Sequence, residues 1–198
     1  MSENSTSRRD LLRNIALSAT LGGVSAEAAQ HVHHAAAEEK KAAGVYKPKI
    51  LTAHEFKTMQ RLADLIIPAD EVSKGALDSG AVEFIDLLSS QNPEMASIYT
   101  GGIAWLDRQM SKRYGSDFVT AKDEQQTAML DLIAYRKNKS PELDAGIRFF
   151  EWARKMVADA FYTSPVGIKD LGFMGNKGMA KFEVPAAAID YAVKRSGL

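Results

Sequence analysis

At 198 residues, with 25 basic side chains matched by 25 acidic ones, the chain is formally neutral, so charge gives no reason to expect nucleic acid or an anionic membrane as partner. It has no cysteine, which excludes disulfides, thiolate zinc sites, cysteine-held iron–sulfur clusters and haem attached through Cys-x-x-Cys-His. The length suits one domain with a sizeable core.

The N-terminus carries the most specific pattern. Arg8 and Arg9 are followed by Asp10, Leu11 and Leu12, then by an apolar run from Ile15 to Val24 and by Ala26-Glu27-Ala28. Paired guanidiniums, a short hydrophobic segment and small residues at a cut site are the parts of a twin-arginine export signal, with Arg8, Arg9, Leu11 and Leu12 as its readable residues. The apolar run is about half of the ~20 residues a membrane span needs. Cleavage is expected after Ala26 or Ala28, so residues 1–28 are assigned as signal peptide and the product is expected in the periplasm. Its removal takes Arg8, Arg9 and Arg13 together with Glu3, Asp10 and Glu27, and leaves the chain neutral. This route carries folded proteins, usually with a cofactor in place. Nothing later in the chain looks able to hold one, which suggests that a partner needs the route.

Residues 29–48 read as a flexible linker: His31, His33 and His34 precede a small, charged stretch that is poor in large apolar groups. Helical spacing then takes over. Thr52-Ala53-His54-Glu55 is a capping box, followed by Phe56, Met59, Leu62, Ala63 and Ile66 on one face, with Pro68 as the stop. A loop spans residues 69–80. A second helix begins near Ala81, with Val82, Ile85 and Leu88 on one face, and ends before Pro93. A third runs from Glu94 to Tyr114, closed by Gly115; Gly101 and Gly102 inside it predict close approach of another backbone, or a bend. Thr120 is expected to cap a fourth helix, and Ser140-Pro141 to start a fifth that carries Phe149, Phe150, Ala153, Val157, Ala160 and Phe161. Residues 163–178 read as a glycine-rich loop without periodicity, and Pro185 begins a last short helix. The expected fold is therefore all-α: a single helical domain of about six helices over residues 49–198 with a long C-terminal loop, preceded by the signal peptide and linker.

No catalytic set emerges. Gly172-x-x-Gly175-x-x-Gly178 lacks the preceding strand of a dinucleotide fingerprint and has no Gly-Lys-Ser/Thr. The three linker histidines lack a fixed supporting shell, and a metal is not expected there. Asp64, Asp70, Asp123 and Glu124 read as solvated helix ends. Trp105 and Trp152 match the apolar faces of their helices and read as core.

Three stretches carry a family resemblance: Leu51 to Asp70, with its Ile66-Ile67-Pro68-Ala69-Asp70; Gly75-Ala76 with Val82-Glu83-Phe84-Ile85-Asp86; and Phe161 to Pro165 followed by Gly172-Phe173-Met174-Gly175-Asn176. Together they resemble the gluconate 2-dehydrogenase subunit 3 family, the small subunit of membrane-associated flavin dehydrogenases. The resemblance implies a non-catalytic accessory subunit. Its partner would be an FAD-containing large subunit of the glucose–methanol–choline type, which lacks a signal of its own and is matured and escorted by the small one through the twin-arginine translocase. A c-type cytochrome subunit, with its haem, often completes such complexes. No catalytic, cofactor or metal residue is carried over. The candidate partner interface is Pro165, Gly167, Gly172, Phe173, Gly175 and Asn176, with apolar helix surface beside it. The alternatives are a stand-alone periplasmic enzyme or a ligand- or metal-binding protein acting through His31, His33 and His34.

Overall fold

The computed structural model describes residues 8–21, 25–172 and 184–196. Among them it is helical, without strands: α1 (Arg8–Leu21), α2 (Ala26–Ala43), α3 (Ala53–Ile66), α4 (Ala81–Ser89), α5 (Pro93–Tyr114), α6 (Asp123–Ile133), a 3-10 turn at Arg136–Asn138, α7 (Asp144–Tyr162), α8 (Pro165–Asp170) and α9 (Ala186–Ser196). The all-α expectation is met.

The short α4 is the centre. A helix apolar on every side has to be enclosed, and every residue of α4 except Glu83 is buried. α1, α2, α3, α5 and α7 all pack against it. Among the described residues the one charged side chain that is buried, Asp86, is held by hydrogen bonds and not by an ion pair. Its Oδ2 accepts from the Tyr46 hydroxyl at 2.8 Å and from the Lys49 amide at 2.6 Å. Its Oδ1 accepts from the amides of Ile50 at 3.2 Å and Leu51 at 3.1 Å. A buried carboxylate must be hydrogen-bonded to survive in the interior; here it gathers the non-helical segment leading into α3. Burial, and then the Asp86 carboxylate, push the Tyr46 phenol well above its usual range.

α3 starts as the sequence predicts. The Thr52 hydroxyl accepts from the Glu55 amide, and Glu55 accepts from the Thr52 amide at 2.8 Å. α5 starts at Pro93, where the Asn92 side chain accepts from the amides of Glu94 and Met95. The first turn of α6 differs from expectation: it opens at Asp123, and Thr120 instead donates its hydroxyl to Asp117 at 2.7 Å. Arg61 ties α3 to α6, donating to Gln126 at 2.6 Å and Asp123 at 2.9 Å, and Gln126 in turn donates to the Phe118 carbonyl at 2.7 Å.

Two further expectations change. The linker over 29–48 is mostly helix α2, with Ala29, Val32, Ala35 and Ala36 buried against the domain. Small side chains bring its backbone close to α4, a contribution that a count of large apolar residues overlooks. Residues 163–178 are not all loop. Ser164 caps α8, accepting from the Gly167 amide at 3.1 Å, and Pro165 occupies its first turn. This is the same Ser-Pro signal that the sequence shows at Ser140.

Candidate docking surface

The chain from Ile67 to Ala76 closes on itself. The Ala76 amide donates to the Ile67 carbonyl at 2.9 Å, and the Asp70 amide to the Ser73 carbonyl at 2.9 Å. The Asp70 carboxylate returns the contact, accepting from the amides of Ser73 at 2.7 Å and Val72 at 2.8 Å. Those two amides hold the Asp70 carboxyl below the usual carboxylate range, Ser73 contributing most. Asp70 thus acts as a turn-former, not a bare acid. The loop it fixes carries Val72 at 95% exposure, an aliphatic side chain presented almost wholly to solvent.

α8 stands across from this loop. Val72, Ser73 and Lys74 form one wall, and Pro165, Val166, Lys169 and Asp170 the other, of a concavity of about 470 Å³. α8 reaches that position because Gly167 lets it fold back on the end of α7: a Cβ at residue 167 would stand 2.1 Å from the Phe161 carbonyl oxygen. Ser164, fully buried, donates to the same carbonyl at 2.6 Å. Leu171, directly after α8, is 60% exposed. The loop that Asp70 fixes and the helix that Ser164 caps, far apart in sequence, therefore build one surface between them.

Of the residues expected at a partner interface, Pro165 lines this concavity, Gly172 is exposed beyond the end of α8, and Gly167 is buried and positions α8. Phe173, Gly175 and Asn176 lie outside the described residues. Val72 and Lys74 line the concavity without any signal in the sequence. An apolar residue at a loop tip leaves no periodic trace, and only its exposure in the folded chain reveals it. Of the signal residues, Arg8 and Arg9 form the first turn of α1, Leu11 is exposed at 36% and Leu12 is buried.

The histidines do not converge. His31 and His34 are exposed on α2, while His33 lies half-buried, 4.7 Å from the Phe84 ring and 3.2 Å from the Thr163 hydroxyl. Burial lowers its pKa, partly offset by the Ala160 carbonyl. No group of three or more potential metal ligands occurs among the described residues. His54 meets Asp107 at 2.7 Å, and that hydrogen bond raises the His54 pKa against a smaller opposing effect of burial. Asp107 also accepts from the Phe118 amide at 3.0 Å, so the pair tethers α3 to α5 and the turn beyond it. Another concavity, of about 560 Å³, lies between Tyr135, Arg136, Trp152 and Arg154, where Arg136 is paired with Glu151.

The sequence pattern of the family described as gluconate 2-dehydrogenase subunit 3 matches residues 53–180. The chain belongs to the gluconate 2-dehydrogenase subunit 3 family. The match takes in both walls of the concavity and the buried Asp86, and leaves α1 and α2 outside it. No curated protein and no solved structure matches the chain. Membership of a subunit family implies partner subunits and is compatible with an accessory role in the dehydrogenase complex. Gly172, the one described member of the late glycine series, follows a short helix and not a strand.

Proposed function

We propose that this chain is a non-catalytic small subunit that binds, matures and escorts a folded FAD-dependent dehydrogenase of the glucose–methanol–choline type through the twin-arginine pathway to the periplasm. FAD would reside in that large subunit, and haem in a c-type cytochrome subunit that receives the electrons. The observation that carries the reading is the convergence of the loop that Asp70 fixes and α8 on one concavity, with Val72 presented to solvent beside Lys74. Exposed aliphatic side chains on a rigid, hydrogen-bonded loop favour docking, because little entropy is lost when a partner covers them. Lys74 and Lys169 with Asp170 give the rim charges of both signs, which favours a register-fixing polar counterpart on the large subunit. Arg8 and Arg9 supply the address.

Co-expression with an FAD-containing large subunit that lacks a signal tests the reading. The Arg8→Lys/Arg9→Lys chain should leave that flavoprotein in the cytoplasm, folded and FAD-loaded. Unchanged periplasmic dehydrogenase would end the escort role.

A further inference from the structure

α1 is part of the folded body. Leu12, Ile15 and Ala16, spaced i, i+3 and i+4 on one helix face, are buried at 7%, 4% and 0% exposure. α1 packs on α4 and α2. The Asn92 side-chain amide donates to the Ala16 carbonyl at 3.3 Å, while the oxygen of the same side chain caps α5. An apolar floor with a polar anchor for a helix backbone is a helix-accepting groove, and here it is seen with a helix seated in it.

Removing residues 1–28 would uncover that side of α4, a helix apolar all round. It would also cut into α2. Both candidate cut positions, Ala26 and Ala28, lie in its first turn, where Ser25 caps by accepting from the Ala28 amide at 3.2 Å and its carbonyl accepts from the Ala29 amide at 2.9 Å. Hydrogen-bonded helical backbone resists proteolysis, whereas exposed, unpaired chain is cut. A docked α1 and a closed cut site therefore belong to the same state.

We propose that the groove on α4 is a second docking site for the large subunit, filled by the leader helix until an amphipathic helix of that subunit takes its place, so that partner binding and leader release are one exchange. This rests on the escort reading above. The chemistry of the incoming segment is read from α1: two aliphatic side chains and a small residue at i, i+3 and i+4, with a carbonyl in reach of Asn92. α1 is suited to being displaced. Among its described side chains, Leu12 and Ile15 are the only large buried ones, a small anchor against the entropy of ordering a helix of 14 residues. A leader held on its own domain is withheld from the translocase, and one displaced by the partner is presented to it.

Hydrogen exchange on the full chain, alone and bound to the FAD-containing large subunit, tests the exchange. The α1 amides should be protected in the free chain and exchange at least about tenfold faster in the complex, while α4 stays protected. Ile15→Asp, or the milder Leu12→Ala should the first disturb folding, should bind the large subunit several-fold more tightly. A synthetic peptide of residues 8–21 should compete for that binding. Protection of α1 that is unchanged in the complex, weaker binding by the variants, or an unprotected α1 in the free chain would each overturn the exchange and leave the escort role standing. If no complex forms with any version of the chain, both fall.

Discussion

Gly102 on α5 lies beneath the ring of Phe149 on α7, so closely that a Cβ at residue 102 would stand 2.0 Å from the ring. The contact is returned by Gly146 of α7, over which Trp105 of α5 closes, with its ring 2.1 Å from where a Cβ would be. Each helix thus offers a gap to an aromatic residue of the other, and the two longest helices of the domain approach through that pair of gaps. Gly101, one position earlier, faces open space.

The neighbours should respond with opposite signs. Gly102→Ala forces a methyl into an occupied site and should destabilise by about 1–3 kcal/mol, the usual cost of overpacking. Gly101→Ala meets no atom and should stabilise by roughly 0.5–1 kcal/mol through helix propensity and a less free unfolded chain. Urea unfolding of the two variants checks both; equal effects would mean that the interlock is absent.

Asp86 is the next test. Asp86→Ala leaves the Tyr46 hydroxyl and the Leu51 amide buried without their acceptor. The expected loss is about 3 kcal/mol, against about 1 kcal/mol for Tyr46→Phe, which removes one donor and leaves the carboxylate its amides. The double variant should cost less than the two losses added, since both act on one network. Denaturation midpoints of the three variants measure this.

His33 and His54 predict a stability that falls on both sides of neutrality. His33 has its pKa lowered by burial, so the unfolded chain binds its proton more readily. Its contribution is complete above the ordinary value of 6.5 and is lost as pH falls below that value toward the folded pKa. His54 is shifted the other way by Asp107. Its contribution is complete below 6.5 and is lost as pH rises through its higher folded pKa. His33→Gln should flatten the acid side of a stability–pH curve and His54→Gln the alkaline side. The half-exposed His54–Asp107 pair should give the smaller effect. Thermal melts across pH 5 to 8 separate them.

Surface residues should separate docking from folding. Val72→Asp with Leu171→Asp alters two exposed positions, so stability should stay within about 0.5 kcal/mol of the parent. Co-purification of the FAD-containing large subunit should be lost. A variant that still retains the large subunit would place the interface elsewhere.

α3 and α5 could be read directly, because a Thr52–Glu55 box or a proline after Asn92 acts within a few residues. α2 could not, because its buried face is mainly alanine, and alanine contributes to a core only when another helix comes within reach. Asp86 looks in sequence like a polar position on a short helix; four donors arriving from residues 46–51 make it a hub. The candidate surface was half legible. Pro165 and Gly172 stood out as loop residues, whereas Val72 was silent until the Asp70 turn lifted it clear.

Helix type, the starts of α3 and α5, and the family were written in the order of residues, since caps, periods and motifs are short-range properties of a chain. Which faces meet was decided by packing: Gly102 under Phe149, α1 on α4, and the 67–76 loop opposite α8. Those choices depend on shape and on buried donors finding acceptors across tens of residues, and neither is defined until the whole chain has closed around α4.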